Sequence, residues 1–167
     1  MKNLFFLLFV AVFMLTNCED KKKNLTAKYD ELMKQADSIE ASHQDFMKTH
    51  NEMADMHDKF KQQLEGMELQ DSTVIEDIAK HDVILKRHDV TLESHTEMFE
   101  NHKNLKSEFD AMTDVEMEAK IEEMEQDHEK IKSEHATMED EHNTIMNEHD
   151  AIEKALNENQ AKESEED

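Results

Sequence analysis

Apolar residues and histidines recur along this chain in alternating steps of three and four residues, the spacing of helices that pack against other helices. The spacing runs through three stretches, at about residues 25–66, 73–112 and 114–157. Polar and charged residues fill the other positions, so each stretch has one narrow stripe suited to burial. The pattern predicts three long α-helices whose stripes face one another.

Residues between the stretches are typical of helix ends. Gly66 is the only glycine and suits a helix C-terminus. Thr73–Glu76 and Thr113–Glu116 both have the Thr-x-x-Glu order of a capping box, which marks a helix N-terminus. These residues predict one turn between the first two helices and another between the second and the third.

The histidines indicate how the three helices run. In the first and third stretches an apolar residue follows each histidine by three positions, whereas in the second it precedes each histidine by three. Each stripe has two alternating positions, and in antiparallel helices the first position of one helix lies level with the second position of the other. Because the histidines occupy the first position in the outer stretches and the second in the middle one, histidines of all three helices lie at the same level. The sequence therefore predicts an all-α fold, an antiparallel up-down-up three-helix bundle.

Folding the chain back at residues 69 and 115 sorts the histidines into sets at one level, which we call histidine layers. The predicted layers are His57/His81/His149, His50/His88/His142 and His43/His95/His135, with Ala36/His102/His128 as a fourth that has two histidines. Apolar layers fall between and beside them, namely Phe60/Ile78/Ile152, Met53/Leu85/Ile145, Phe46/Leu92/Met138 and Ile39/Phe99/Ile131. No histidine is left over.

A second architecture also fits the pattern. His57 and His81 are 24 residues apart, so the first two stretches can be joined into one unbroken heptad series. One long helix that assembles as a homo-oligomeric coiled coil is the alternative to the bundle. We favour the monomeric bundle, because its fold-back matches every histidine.

Composition supports helices and limits the partners. The chain has one Gly, no Pro and 37% charged residues, with a formal net charge of −23. Nucleic acid is not an expected partner, because binding to it depends on Lys and Arg that neutralise phosphates. Cations are the natural small partners of such a negative field. Residues 158–167 lose the apolar positions and are predicted to form a disordered acidic tail.

The N-terminus has the features of an export signal. Leu4–Leu15 is an unbroken apolar run that is too short for a membrane span of about 20 residues and suits a signal-peptide core. Leu15-Thr16-Asn17-Cys18 resembles the lipobox of bacterial lipoproteins. The resemblance implies removal of residues 1–17 and lipidation of Cys18, which would anchor the protein to a membrane. Residues 18–24 would then be a polar tether.

The same resemblance implies a location in the bacterial cell envelope, facing the periplasm or the cell surface. The alternative is an ordinary secretory leader beside an unrelated cysteine. Because Cys18 is the only cysteine, no disulfide can form within the chain.

The histidine layers suggest metal chemistry. Three imidazoles at one level resemble the three-histidine set that binds zinc, and imidazole also suits copper and nickel. The thirteen methionines are interpreted as core packing. The candidate metal ligands are His57, His81, His149, His50, His88, His142, His43, His95, His135, His102 and His128.

Acidic residues stand next to many of these histidines in the sequence. Some of them could accept a hydrogen bond from the second ring nitrogen of a ligand, but sequence neighbours on a helix do not face each other. We therefore expect most of them to belong to the solvated face. They are Asp58, Asp82, Asp89, Asp127, Glu134, Glu141, Glu148 and Asp150.

Two functions are consistent with these features. The first is an exported, lipid-anchored bundle whose histidine layers bind or store divalent ions of zinc, copper or nickel. The alternative is a structural or adaptor coiled-coil lipoprotein in which buried imidazoles fix the helix register and respond to pH, without metal. An enzyme is not predicted, because the sequence has no Gly-rich phosphate loop and no His-Glu-x-x-His motif.

Overall fold

The chain folds as the all-α three-helix bundle that the heptad pattern predicts. The computed structural model describes the backbone of residues 2–65 and 72–166 and the side chains of residues 20–65 and 73–158. The helices are α1 (Lys2–Glu65), α2 (Ser72–Leu105) and α3 (Asp114–Glu166), with a short 3₁₀-helix at Phe109–Ala111. Gly66, proposed above as a helix end, lies outside the described residues.

Two compact units make up the bundle, and each contains a segment of all three helices. Unit 1 comprises Met1–Glu40 and Thr96–Ile131, and unit 2 comprises Ala41–His95 and Lys132–Asp167. Within each unit α1 and α3 run in the same direction and α2 runs against them. Since α1 and α2 are separate antiparallel helices, the alternative of one continuous helix through the first two stretches is wrong.

Unit 1 has an apolar core at the level of the α2–α3 turn. Its buried members are Tyr29, Leu32, Phe109, Met117, Ile121 and Met124. A second cluster in this unit is Ile39, Phe99 and Ile131, the same three residues that the fold-back places in one apolar layer. The Tyr29 hydroxyl donates to the carbonyl oxygen of His102 at 3.2 Å, so this buried polar group is satisfied.

The end of α2 differs from the prediction. The helix stops at Leu105 rather than near residue 112, and the amides of residues 106–108 donate to carbonyl oxygens three residues earlier. This tighter path leads into the 3₁₀-helix and brings Phe109 against Tyr29, with ring centroids 4.0 Å apart. Tertiary packing of Phe109 therefore ends the helix where the heptad pattern alone would continue it.

The start of α3 agrees with the predicted capping box. The backbone amide of Thr113 donates to Glu116 Oε2 at 2.8 Å, and the amide of Glu116 donates to Thr113 Oγ1 at 3.4 Å. These reciprocal bonds satisfy two amides that have no partner within the helix. At the other predicted box, α2 begins at Ser72, one residue before Thr73.

Residues 18–24 were predicted to be a separate tether. In the structure they belong to α1. Lys21 Nζ lies 3.0 Å from Glu118 Oε1, and Lys22 Nζ donates to the carbonyl oxygen of Asp110 at 2.7 Å. The segment is rich in Lys and has no Gly or Pro, so its helix propensity is high. These contacts attach this part of α1 to the α2–α3 turn and to α3.

The C-terminal tail is also helical, because α3 continues to Glu166 where disorder was predicted from about residue 158. Losing the apolar stripe removes packing, but Glu, Lys, Ala and Gln keep their preference for helix. Within the described part of the chain, no helix has the length and hydropathy needed to cross a bilayer. The side chains of the leader and of Cys18 lie outside the described residues.

Unit 2 contains the predicted apolar layer Met53/Leu85/Ile145 as a buried cluster. Ile145 has no exposed surface, whereas its neighbour Met146 is 44% exposed. Ile145→Ala is expected to lower the free energy of unfolding by about 2–5 kcal/mol, because it leaves a cavity in a closed layer. Met146→Ala is the matched control and is expected to change it by less than about 0.5 kcal/mol.

Urea unfolding followed by circular dichroism measures both changes. Equal losses for the two variants would contradict the burial of this layer.

Candidate metal centre

Unit 2 contains three groups of three histidines, each with one residue from every helix. They are His43/His95/His135, His50/His88/His142 and His57/His81/His149. Within each group the three nearest ring nitrogens lie within 4.8 Å of one another. These are the three complete histidine layers that the fold-back predicts, and we call them the triads.

The nitrogens that face the centre of a triad follow one rule. The α1 histidine presents Nδ1 and the α3 histidine presents Nε2, and these two atoms are 3.0 Å apart in all three triads. In the middle triad His88 also presents Nδ1 to His142 Nε2, at 3.2 Å. The repetition arises because every residue of a triad recurs seven positions later on its own helix.

In six of the α1 and α2 histidines the other ring nitrogen, Nε2, bonds to a carboxylate on a neighbouring helix. The Nε2···O distances lie between 2.5 and 3.1 Å. The pairs are His50–Asp89, His57–Asp82, His81–Glu148, His88–Glu141, His95–Glu134 and His102–Asp127.

The expectation that most of these acids only face solvent is therefore wrong for six of the eight. Each acid bonds to a histidine on another helix rather than to its sequence neighbour, because it lies at the edge of the stripe beside the adjacent helix. The sequence contains the signal as a regularity. An acid precedes each α3 histidine, at Asp127, Glu134, Glu141 and Glu148, and an acid follows His81 and His88. Asp58 and Asp150 are exposed.

Burial keeps five of the triad imidazoles neutral at neutral pH. Burial, reinforced by the two neighbouring histidines, lowers the pKa of His135, His142 and His149 to about 4. Burial also lowers the pKa of His57 and His88, although the facing carboxylates oppose that shift. A neutral imidazole has one free lone pair, which is the form that binds a metal ion.

Two of the six carboxylates paired with histidines, Asp82 and Glu141, have a lowered pKa and therefore accept hydrogen bonds in the ionised form. Burial raises the pKa of Asp82, but hydrogen bonds from Lys61 and His57 outweigh it and bring the pKa below the usual value. Glu141 has a lowered pKa for the same reason, with His88 and Arg87 as donors. Each of these carboxylates accepts a hydrogen bond from Nε2 of its histidine, which leaves Nδ1 as the acceptor nitrogen turned toward the triad centre.

The centre of a triad therefore has fewer N–H donors than acceptor nitrogens. In the middle triad one proton, on His142 Nε2, faces the lone pairs of His50 Nδ1 and His88 Nδ1. In the other two triads the α2 atoms, His81 Nδ1 and His95 Nδ1, are buried and have no hydrogen-bond partner among the described residues. An uncompensated buried acceptor is costly, and a bound cation would compensate it.

The spacing is close to that of a metal site. Nitrogens about 2.0–2.1 Å from one zinc ion are roughly 3.3–3.5 Å apart. In the middle triad two of the three nitrogen–nitrogen distances are 3.0 and 3.2 Å, and all three are within 4.8 Å, so small movements would bring the three nitrogens to that spacing. The carboxylates that orient the outer nitrogens match the partners usual for metal-bound histidines. The residues present fit a three-histidine metal site.

The fourth predicted layer lies in unit 1 and is incomplete. The structure brings together His102 and His128, with ring centroids 5.4 Å apart. The corresponding residue of α1 is Ala36, which is buried and has no donor. His102 and His128 are therefore neighbours, as predicted, but they do not belong to a group of three.

Comparison with known proteins assigns no family to the chain, because no family model, curated protein or solved structure matches it. The fold and the site thus define its class. It is an all-α three-helix bundle with buried histidine triads that could hold metal ions.

Proposed function

We propose that this chain is an exported, lipid-anchored protein that binds or stores divalent transition-metal ions in its three histidine triads. Each triad would supply three neutral imidazole nitrogens, two of them Nδ1 and one Nε2. Such a set suits zinc, copper and nickel. Metal in the triads would link all three helices of unit 2 at three levels.

The observation that carries the proposal is that the outer Nε2 atoms bond to carboxylates rather than to neighbouring imidazoles. If the imidazoles served only to fix register, each ring would satisfy its neighbour by donating a hydrogen bond around the layer. Here Asp82, Asp89, Glu134, Glu141 and Glu148 accept hydrogen bonds from the outer Nε2 atoms instead. The nitrogens left facing each other are short of donors, which favours a cation.

The location rests on the first eighteen residues. The apolar run Leu4–Leu15 and the lipobox-like Leu15-Thr16-Asn17-Cys18 support export and lipidation of Cys18. In the cell envelope the acidic surface of the chain would raise the local concentration of metal cations.

Counting bound metal tests the proposal directly. The full chain, kept in a non-ionic detergent because of its apolar leader, is dialysed against low micromolar free zinc and analysed for zinc. We expect three equivalents per chain, one for each triad. His142→Leu should bind two, because it removes a ligand from the middle triad and leaves an apolar layer in its place.

A gain of binding is the stricter form of this test. Ala36→His supplies the missing ring of the fourth layer and is expected to raise the count to four. Ala41→His, which places a histidine at an exposed position of the same helix, is the control and should leave it at three. No uptake by the unmodified chain would overturn the proposal and favour the register-fixing core.

A further inference from the structure

The pair His102 and His128 in unit 1 is a site of a different kind from the triads. Both side chains are buried, at 4% and 2% exposed. Their ring centroids are 5.4 Å apart, within the range of 5.0–5.6 Å between rings of the triads. No residue of this pair belongs to unit 2, so the pair is independent of the three triads.

The Nδ1 atom of His102, which faces into the layer, is a buried acceptor that suits a cation. Its Nε2 bonds to Asp127 Oδ2 at 3.0 Å, which places the ring proton on the outer nitrogen. Its Nδ1 is buried with no hydrogen-bond partner in the described part of the chain. This atom repeats the arrangement of His81 and His95, because His102 continues their heptad series on α2.

What differs from a triad is the number of donors. Ala36 stands one heptad before His43, so α1 contributes a methyl group where the triads have an imidazole. The layer has two imidazole rings, so it can offer one ion two ring nitrogens and no third. Zinc in proteins takes three or four protein ligands, so two nitrogens in a buried layer are a poor zinc site.

The local charge also favours a singly charged ion. Asp127 is hydrogen-bonded to His102 and brings one negative charge to this pair. Lys103, which follows His102, pairs with Glu40 at 2.7 Å, so that ion pair adds no net charge. A buried charge must be compensated, and one carboxylate compensates one positive charge.

We propose that His102 and His128 bind one monovalent copper ion between His102 Nδ1 and a ring nitrogen of His128. Imidazole is a ligand that suits copper. Cu(I) has a closed shell and accepts two nitrogens in a linear arrangement, and it carries the single charge that Asp127 balances. The ion binds as Cu(I), so no electron transfer is involved. The chain would then hold divalent ions in unit 2 and a cuprous ion in unit 1.

The test uses the full chain in detergent, loaded with zinc and then freed of excess metal. Cu(I) is added anaerobically as its acetonitrile complex, and both metals are counted after desalting. We expect one copper per chain with the bound zinc retained. X-ray absorption at the copper edge should show two nitrogen neighbours and the intense pre-edge feature of linear Cu(I).

Variants identify the site. His102→Leu and His128→Leu should each lose the copper and keep the zinc, whereas Asn101→Leu, an exposed neighbour of His102, should keep both. Ala36→His should bind a fourth zinc ion in this layer during loading and then take up no copper. Copper that only displaces zinc, or copper uptake unchanged in both leucine variants, would overturn the inference.

The outcomes separate this inference from the proposed function. Zinc uptake without additional copper would overturn the pair site and leave the triads supported. If the chain binds no zinc but binds copper that is lost in His102→Leu, the pair site is supported and the proposed function of the triads is overturned.

Discussion

Filling the three triads with zinc is expected to raise the free energy of unfolding by about 12 kcal/mol at saturating metal. A ligand that binds only the folded chain contributes about 4 kcal/mol per site when its free concentration is a thousandfold above the dissociation constant. The three sites add because each triad is a separate layer of unit 2. Every site joins α1, α2 and α3, so no ion can remain fully ligated while the helices separate.

Thermal unfolding with zinc, and again after a chelator is added, measures this stabilisation. His142→Leu should lose about one third of it, since two triads remain. Without metal the same variant should be at least as stable as the unmodified chain, because a leucine side chain gains more from burial than an imidazole with unsatisfied nitrogens. Equal zinc stabilisation in the variant and the unmodified chain would show that the ions bind elsewhere.

Mild acid is expected to destabilise the metal-free chain by on the order of 5–10 kcal/mol between pH 6.5 and pH 4. Burial lowers the pKa of His135, His142 and His149 from 6.5 to about 4, so these rings bind a proton more weakly in the folded chain than in the unfolded one. Their neutral state favours folding above pH 6.5, and the advantage is lost as the pH falls to about 4. Each group contributes a slope of up to about 1.4 kcal/mol per pH unit.

Urea unfolding at a series of pH values, with a chelator present, checks this expectation. Replacing His135, His142 and His149 together by leucine should flatten the profile between pH 6.5 and pH 4. Below that range both chains should lose stability further, because Asp82 and Glu141 have lowered pKa values and protonate at lower pH in the folded chain. A flat profile for the unmodified chain would mean that the imidazoles are not held neutral in buried layers.

Much of the architecture could be predicted because a heptad repeat is a property of sequence spacing. The exchange of the histidine position in the second stretch predicts that α2 runs against α1 and α3, and the level of each histidine follows from the two turns. The structure groups His50 with His88 and His142, and Met53 with Leu85 and Ile145, as this counting predicts. Helix ends were predicted less well, because α2 stops where Phe109 packs on Tyr29.

The sequence by itself therefore determined which helices form, in which direction they run and which histidines share a layer. Only the tertiary structure decided which ring nitrogen faces the centre. That choice depends on carboxylates from neighbouring helices, such as Glu141 on His88 and Asp89 on His50, which lie 53 and 39 residues away in the chain. Periodicity places a residue at a level and on a face, but the direction of a ring and its proton is set by the partner across the helix interface.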